Sequence, residues 1–188
     1  MVLEAQGNPF LQKNYALFLE DCDIVHFDDF YLPHSDPEII GSNFDWHRLI
    51  NQVLVPVTKH LNSKYQMYNW VTNKLDDWEK TGDAKFIILE GVTSGRLELR
   101  EFLNFIIFIE SPSETNLKRG IERDGIGIKD IWLKDWMPRE LKYFNSEIHL
   151  TKAASDLVVD GTYENSDTDC IKTMYESNTF SQNISLHT

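Results

Sequence analysis

A stretch of eight residues beginning at Gly7 has the residue types of a phosphate-binding loop at two of its key positions. The loop motif G-x-x-x-x-G-K-[ST] uses glycines to bring backbone N–H groups around a phosphate, a Lys to contact the β- and γ-oxygens, and a hydroxyl to hold Mg²⁺. Gly7 and Lys13 keep this frame, but Gln12 replaces the second glycine and Asn14 replaces the hydroxyl residue. Pro9 also lacks an N–H. The stretch therefore predicts a degenerate phosphate loop that binds ATP weakly.

Carboxylates follow two of the apolar runs. Asp28 and Asp29 come directly after the run that ends at Phe27, and Glu90 with Gly91 follows another. In open α/β sheets functional groups gather at the carboxyl ends of strands, so these side chains are candidates for a general base and for ligands of a metal or its waters. The alternative is that the carboxylates cap a helix or end a strand.

Two arginines supply a local positive charge in an acidic chain. Arg119 and Arg123 lie one turn apart on a predicted helix, and phosphoryl transfer needs fixed positive charge of the planar kind that Arg provides. The neighbouring Glu122 and Asp124 favour the alternative of a solvated helix face.

Two polar and aromatic segments, residues 45–48 and 65–70, suit a pocket that stacks a planar ring and hydrogen-bonds a sugar or an acid. Trp132 and Trp136 stand a turn apart and are predicted to pack in the core or in a lid. His26 lies within a predicted strand and is interpreted as structural. The candidates for substrate binding are Tyr31, Asp45, Trp46, Arg48, Tyr65, Tyr68 and Trp70.

Composition excludes several classes of function. The net charge of −12 argues against a nucleic-acid or membrane partner, because both need a basic surface. The two cysteines, Cys22 and Cys170, are too few for a zinc site or a disulfide framework. No apolar run approaches the roughly 20 residues of a membrane span. We therefore expect a cytoplasmic protein that acts on a small molecule.

The order of the apolar segments predicts a parallel sheet with crossover helices, which is an α/β fold. A chain of 188 residues suits one domain, here residues 1–162, followed by a polar tail from residue 163 that is partly disordered or forms a short helix near residues 168–175. The predicted strands are residues 1–3, 22–27, 85–89, 104–109 and 156–159, and the predicted helices are residues 14–20, 45–64, 113–123 and 130–144.

Taken in order, these segments resemble the uridine kinase-like branch of the P-loop nucleoside kinases, and especially the small bacterial proteins labelled uridine kinase or ATP-binding protein. The similarity runs from about Gly7 to Thr162. It implies a three-layer P-loop kinase fold with a parallel sheet of about five strands flanked by helices, and it implies ATP and Mg²⁺ as cofactors. The matching segments are residues 7–14, 28–31, 45–49, 65–70, 90–92, 118–124 and 156–162.

The resemblance also implies roles for individual residues. Asp28 or Asp29 would accept the proton of the substrate hydroxyl, and Glu90, with Asp28, would hold the metal. The implied phosphate and nucleotide residues are Arg119 and Arg123 in a lid, Gly7, Lys13 and Asn14 at the loop, and Gly161 and Thr162 near the adenine.

Two functions remain open at this point. The retained carboxylates and arginines indicate an ATP-dependent kinase that acts on a nucleoside or a similar small molecule. The degenerate loop indicates a catalytically silent binding or regulatory protein. A purely structural partner subunit is a weaker third hypothesis, and the oligomeric state stays open.

Overall fold

A computed structural model describes residues 2–5, 21–146 and 151–162. The predictions for the phosphate loop at residues 7–14, for the helix over residues 14–20 and for the tail from residue 163 lie outside the described residues. No helix in the described ranges is both long and apolar enough to cross a membrane.

The strands of the described ranges are β1 Val2–Ala5, β2 Cys22–His26, β3 Lys64–Asn69, β4 Lys74–Lys80, β5 Phe86–Glu90, β6 Ile106–Glu110 and β7 Leu157–Asp160. These strands form two sheets. The larger sheet is parallel, and its order of five strands is β2-β5-β1-β6-β7. A separate antiparallel hairpin joins β3 to β4.

The helices connect these strands, so the predicted α/β class with parallel strands flanked by helices is confirmed. The π-helical segments Ile50–Leu54 and Trp132–Trp136 each continue into the helix that follows. The α-helices are α1 Trp46–Leu49, α2 Val55–Thr58, α3 Ser113–Asp124, α4 Lys129–Ile131, α5 Met137–Phe144 and α6 Thr151–Ala154, and the 3₁₀ turns are Phe27–Phe30, Leu97–Phe102 and Ile126–Ile128.

The sheet packs an apolar cluster on each face, because successive side chains of a strand point to opposite sides. Val25 and Leu89 belong to the first cluster, which also contains the buried Leu49 of α1. Ile24 and Ile88 belong to the second, together with residues of β6 and β7. Burial on both faces explains why the strands of this sheet read as continuous apolar runs in the sequence.

The predicted helix over residues 45–64 was too long. The helical segments end at Thr58, and His60 then adopts a left-handed backbone conformation with φ of 56°. From Lys64 the chain forms the hairpin strand β3, which the sequence analysis treated only as part of a pocket. The alternation that should reveal β4 is absent, because all seven of its residues are exposed.

Candidate functional site

A cavity of about 540 Å³ opens where β2 and β5 end. Asp28 lies on the turn that follows β2, and Glu90 is the last residue of β5. Residues of α3, of the segment Trp132–Trp136 and of α5 complete the lining. The cavity therefore occupies the carboxyl edge of the sheet, where ligands bind in open α/β folds.

Asp28 reaches the cavity because both ends of its turn are anchored. Phe27 and Phe30 are fully buried at the two ends of the 3₁₀ turn, and Asp28 lines the cavity between them. Asp28 keeps an accessible surface toward the cavity, and the surrounding protein atoms partly desolvate its carboxyl. Burial, reinforced by the charge of Glu90, raises the pKa of Asp28 to about 6, and Arg123 opposes this shift.

Glu90 is held against the neighbouring strand. His26 is its register partner in β2, and the Nδ1 atom of His26 lies 2.9 Å from Oε2 of Glu90. This hydrogen bond raises the pKa of His26, with further contributions from the charges of the nearby acids. Gly91 follows with φ of 141°, and a Cβ at this position would lie 2.8 Å from Cβ of Phe27. Only glycine permits this close approach of the two strand ends.

The structure separates the two predicted bases. Asp28 lines the cavity, and Asp29, the next residue, is absent from its lining. The backbone carbonyl of Asp29 accepts a hydrogen bond from Nη2 of Arg48 at 3.0 Å, and burial raises the pKa of its side chain. Of the pair, Asp28 is the residue whose carboxyl faces the enclosed space.

The two predicted lid arginines also have different environments. Arg123 lines the cavity, where it binds both carboxylate oxygens of Asp124 at 2.7 and 3.0 Å. Arg119 is 8% exposed and lies outside the cavity lining. Its guanidinium donates to the carbonyl oxygens of Gly161 at 2.7 Å and Thr162 at 3.3 Å. Arg119 thus fixes the turn after β7, and Arg123 faces the cavity.

Tyr31 and Trp70 are the predicted substrate residues that line the cavity. Their ring centroids are 4.6 Å apart, and Trp136 meets Trp70 edge to face at 6.0 Å. The hairpin thus brings Trp70 to the rim of the cavity. Together the three rings form one aromatic wall.

The other predicted substrate residues lie outside the cavity lining. Asp45 caps α1 by accepting from the backbone N–H of Arg48 at 2.9 Å. Arg48 donates to the carbonyl oxygens of Gln66 and Asp29 and lies over the Phe30 ring. These contacts join the helix, the hairpin and the turn after β2. Trp46, Tyr65 and Tyr68 pack against neighbouring aromatic or cationic groups.

Several lining residues were missed by the sequence analysis. Glu140 on α5 lines the cavity, and burial together with the charge of Asp28 raises its pKa to about 7. Arg139 also lines it and binds Asp135 at 2.6 Å. Trp132 and Trp136, predicted to be core or lid residues, belong to the lining as well. Trp132, Trp136 and Glu140 are spaced four residues apart, which puts them on one helix face. This spacing is the sequence signal that indicates a shared surface.

The residues predicted to bind cofactors fall into three groups. Gly7, Lys13 and Asn14 lie outside the described residues. Gly161 and Thr162 form the turn held by Arg119, and a Cβ on Gly161 would lie 2.9 Å from Cγ2 of Ile109.

The residues predicted to bind the metal, Asp28 and Glu90, line the same cavity, although the described ranges contain no cluster of three potential protein ligands. A pair of carboxylates fits Mg²⁺, which usually binds one or two carboxylates together with phosphates and water.

Comparison with solved structures shows that this chain shares its fold with proteins described as kinases. The chain is similar to the structure of a possible uridine kinase from Bacillus stearothermophilus, with 18% identity, a TM-score of 0.60, and coverage of 84% of this chain and 87% of that one. It is also similar to phosphoribulokinase from Rhodobacter spheroides, with 11% identity, a TM-score of 0.59, and coverage of 85% of this chain and 68% of that one. No family profile and no curated protein matches the sequence. Identities this low show the fold alone.

Proposed function

We propose that the protein is an ATP-dependent phosphotransferase of the uridine kinase or nucleoside kinase type, which transfers the γ-phosphoryl group to a hydroxyl of a small molecule. The observation that carries the proposal is the meeting of Asp28, Glu90 and Arg123 in one cavity at the carboxyl edge of the sheet. A base, a metal-binding carboxylate and a fixed cation are the groups that phosphoryl transfer uses.

Asp28 acts as the general base in this proposal. A carboxyl group with a pKa of about 6 is ionised at neutral pH and is still basic enough to accept the proton of an acceptor hydroxyl. The acceptor oxygen bonds to the γ-phosphorus as the bond from this phosphorus to the β–γ bridging oxygen breaks. The proton passes to Asp28, and ADP is the second product.

Glu90 would hold Mg²⁺ beside Asp28, and a cation is favoured there because the charge of Glu90 otherwise adds to burial in raising the pKa of Asp28. The ion would neutralise phosphate charge during transfer. Arg123 would add positive charge to the transferred group. Gly7, Lys13 and Asn14 are proposed to contact the phosphates, and Gly161 and Thr162 the adenine.

The experiment that tests this function measures ADP formation by the wild-type protein with Mg-ATP. The acceptor panel contains neutral nucleosides, sugars, polyols and amino alcohols, so that a kinase with another acceptor is still detected. We expect ADP to form only when an acceptor is present, and a phosphorylated acceptor to appear in equal amount. Absence of acceptor-dependent ADP across the panel, from protein that remains folded, contradicts the proposal.

The second candidate is a catalytically silent binding protein, and the sequence of the phosphate loop favours it. Gln12→Gly combined with Asn14→Ser restores the glycine and the hydroxyl of the loop motif. For a kinase weakened only at this loop, calorimetric titration with Mg-ATP should show tighter binding by the double variant than by the wild type. A folded double variant that still does not bind Mg-ATP supports the silent protein.

A further inference from the structure

The charges that line the cavity are unbalanced. Among the described residues, four carboxylates face two guanidinium groups: Asp28, Glu90, Asp124 and Glu140 against Arg123 and Arg139. Both guanidinium groups are already engaged, Arg123 with Asp124 and Arg139 with Asp135. Glu90 has His26 as a hydrogen-bond partner. Asp28 and Glu140 are therefore the two carboxyl groups of the lining that have no ion-pair partner among the described residues.

Glu140 has no task in the proposed transfer reaction. It lies on α5, near enough to Asp28 for the Asp28 charge to add to burial in raising its pKa, and no hydrogen bond to its carboxylate is formed within the described ranges. The charge of Arg123 opposes this rise in the pKa of Glu140, but Arg123 already binds Asp124. An enclosed carboxylate in this position is costly unless a ligand neutralises it.

Aromatic rings accompany this carboxylate. Trp136 precedes Glu140 by one helical turn, so that both side chains lie on the same face. Trp70 meets Trp136 edge to face, and Tyr31 lies beside Trp70. Ring faces attract cations, and an enclosed carboxylate beside such rings is the usual composition of a site for an organic ammonium group.

A buried hydroxyl gives a second, independent sign of a polar ligand. Thr93 is 3% exposed and lines the cavity, and its Oγ1 atom has no hydrogen-bond partner among the residues that the structure describes. Its backbone also has φ of 67°, which is unusual for a β-branched residue. A hydroxylated ligand in the cavity would give this oxygen a partner.

We propose that the acceptor is a hydroxylated organic amine, whose ammonium group binds Glu140 and the aromatic wall formed by Tyr31, Trp70 and Trp136. This inference rests on the proposed function, since it names the acceptor class of the same site. The acidic surface of the whole protein agrees with it, because a net charge of −12 attracts small cations.

Three pairs of compounds test the proposal by calorimetric titration of the full chain at pH 8. Each pair has similar shape and differs in positive charge: ethanolamine and ethylene glycol, 2-amino-1,3-propanediol and glycerol, and choline and 3,3-dimethyl-1-butanol. We expect the cation of at least one pair to bind about tenfold more tightly than its neutral partner, as an ammonium group paired with a carboxylate and rings should. Equal binding within all three pairs overturns the proposal.

Two variants locate the selectivity. Glu140→Gln keeps the shape of the side chain and removes its charge, so the preference for the cation should fall below about threefold. Glu122→Gln is the matched control, because Glu122 is exposed on α3 outside the cavity, and it should keep the wild-type preference. Thermal unfolding verifies that both variants are folded. A preference that survives in Glu140→Gln contradicts the assignment.

The titrations contain no ATP, so their outcome is independent of phosphoryl transfer. Selective amine binding without ADP formation leaves the ligand class intact and refutes the kinase. ADP formation with only neutral acceptors supports the kinase and refutes the amine as its acceptor.

Discussion

The polar groups at the two halves of the sheet's carboxyl edge differ in whether they have close partners. At the ends of β6 and β7 each charged group has a close partner: Glu110 binds Lys152 at 2.6 Å, and Arg119 holds the turn at Gly161. At the ends of β2 and β5, Asp28 faces an open cavity and carries a raised pKa. Charged groups that have a close partner stabilise the fold, whereas a group with a strongly shifted pKa in a cavity is a candidate for chemistry. The proposed active site thus occupies one half of this edge, and the charged groups of the other half have structural partners.

The strongest test of this division uses the two arginines of α3. Arg123→Ala should lower the rate of phosphoryl transfer by about 10²- to 10³-fold, since the variant removes a fixed charge from the reaction site. Its effect on the free energy of unfolding should stay below about 1 kcal/mol, because its partner Asp124 remains bound to Trp132 and accessible to water. Steady-state assays and urea unfolding measure the two quantities.

Arg119→Ala should have the opposite profile. The variant leaves the carbonyl oxygens of Gly161 and Thr162 without their buried donor, so the free energy of unfolding should fall by about 2–3 kcal/mol. The transfer rate of the folded fraction should fall less than in Arg123→Ala. If Arg119→Ala loses transfer as strongly as Arg123→Ala and keeps full stability, the division between the halves is wrong.

Gly120 tests the packing of Trp132, which lines the cavity, against α3. A Cβ at this position would lie 2.4 Å from Cζ2 of Trp132, so Gly120→Ala should displace the indole and cost about 1–3 kcal/mol of stability. Gly127→Ala is the matched control, since no atom lies within 4 Å of its added Cβ, and it should change stability by less than about 1 kcal/mol. Equal effects in the two variants would mean that the packing of Trp132 on α3 is unimportant.

The effect expected at Glu140 depends on pH. A carboxyl with a pKa of about 7 keeps its proton in the folded protein at pH values where the unfolded chain, near pKa 4.3, has lost it. The folded state therefore loses stability relative to the unfolded chain as the pH rises from about 4 to about 7. Glu140→Gln cannot titrate, so it should be more stable than the wild type by about 3–4 kcal/mol at pH 8 and nearly equally stable at pH 4. A gain that is the same at both pH values would contradict the burial of this charge.

The sequence predicted the half of the site that local patterns encode. Apolar runs followed by carboxylates pointed to Asp28 and Glu90, because both sit where a strand ends. The α/β class was predictable for the same reason. The degenerate loop from Gly7 to Asn14 stays a prediction from sequence.

The remainder depends on contacts between distant segments. Arg119 and Arg123 were indistinguishable as helix neighbours, and the turn at Gly161 and the ion pair with Asp124 separate them. The guanidinium of Arg48 has the chemistry to bind an anion, but it donates instead to backbone carbonyl oxygens of the hairpin and of the turn after β2. Glu140 is recognised as a lining residue only from the tertiary structure, because the position of α5 places it in the cavity. Tertiary partners decide such roles, and spacing along the chain does not reveal them.

A comparison of one carboxylate from each half of the edge separates the proposed base from a structural acid. Asp28→Asn and Glu110→Gln each replace a strand-end acid by its amide, and transfer of phosphate from Mg-ATP to the acceptor found in the panel is compared with the wild type. The account predicts that Asp28→Asn lowers turnover by about 10²-fold or more, because the base is lost, and that Glu110→Gln leaves turnover unchanged. Equal turnover in the two variants would contradict it.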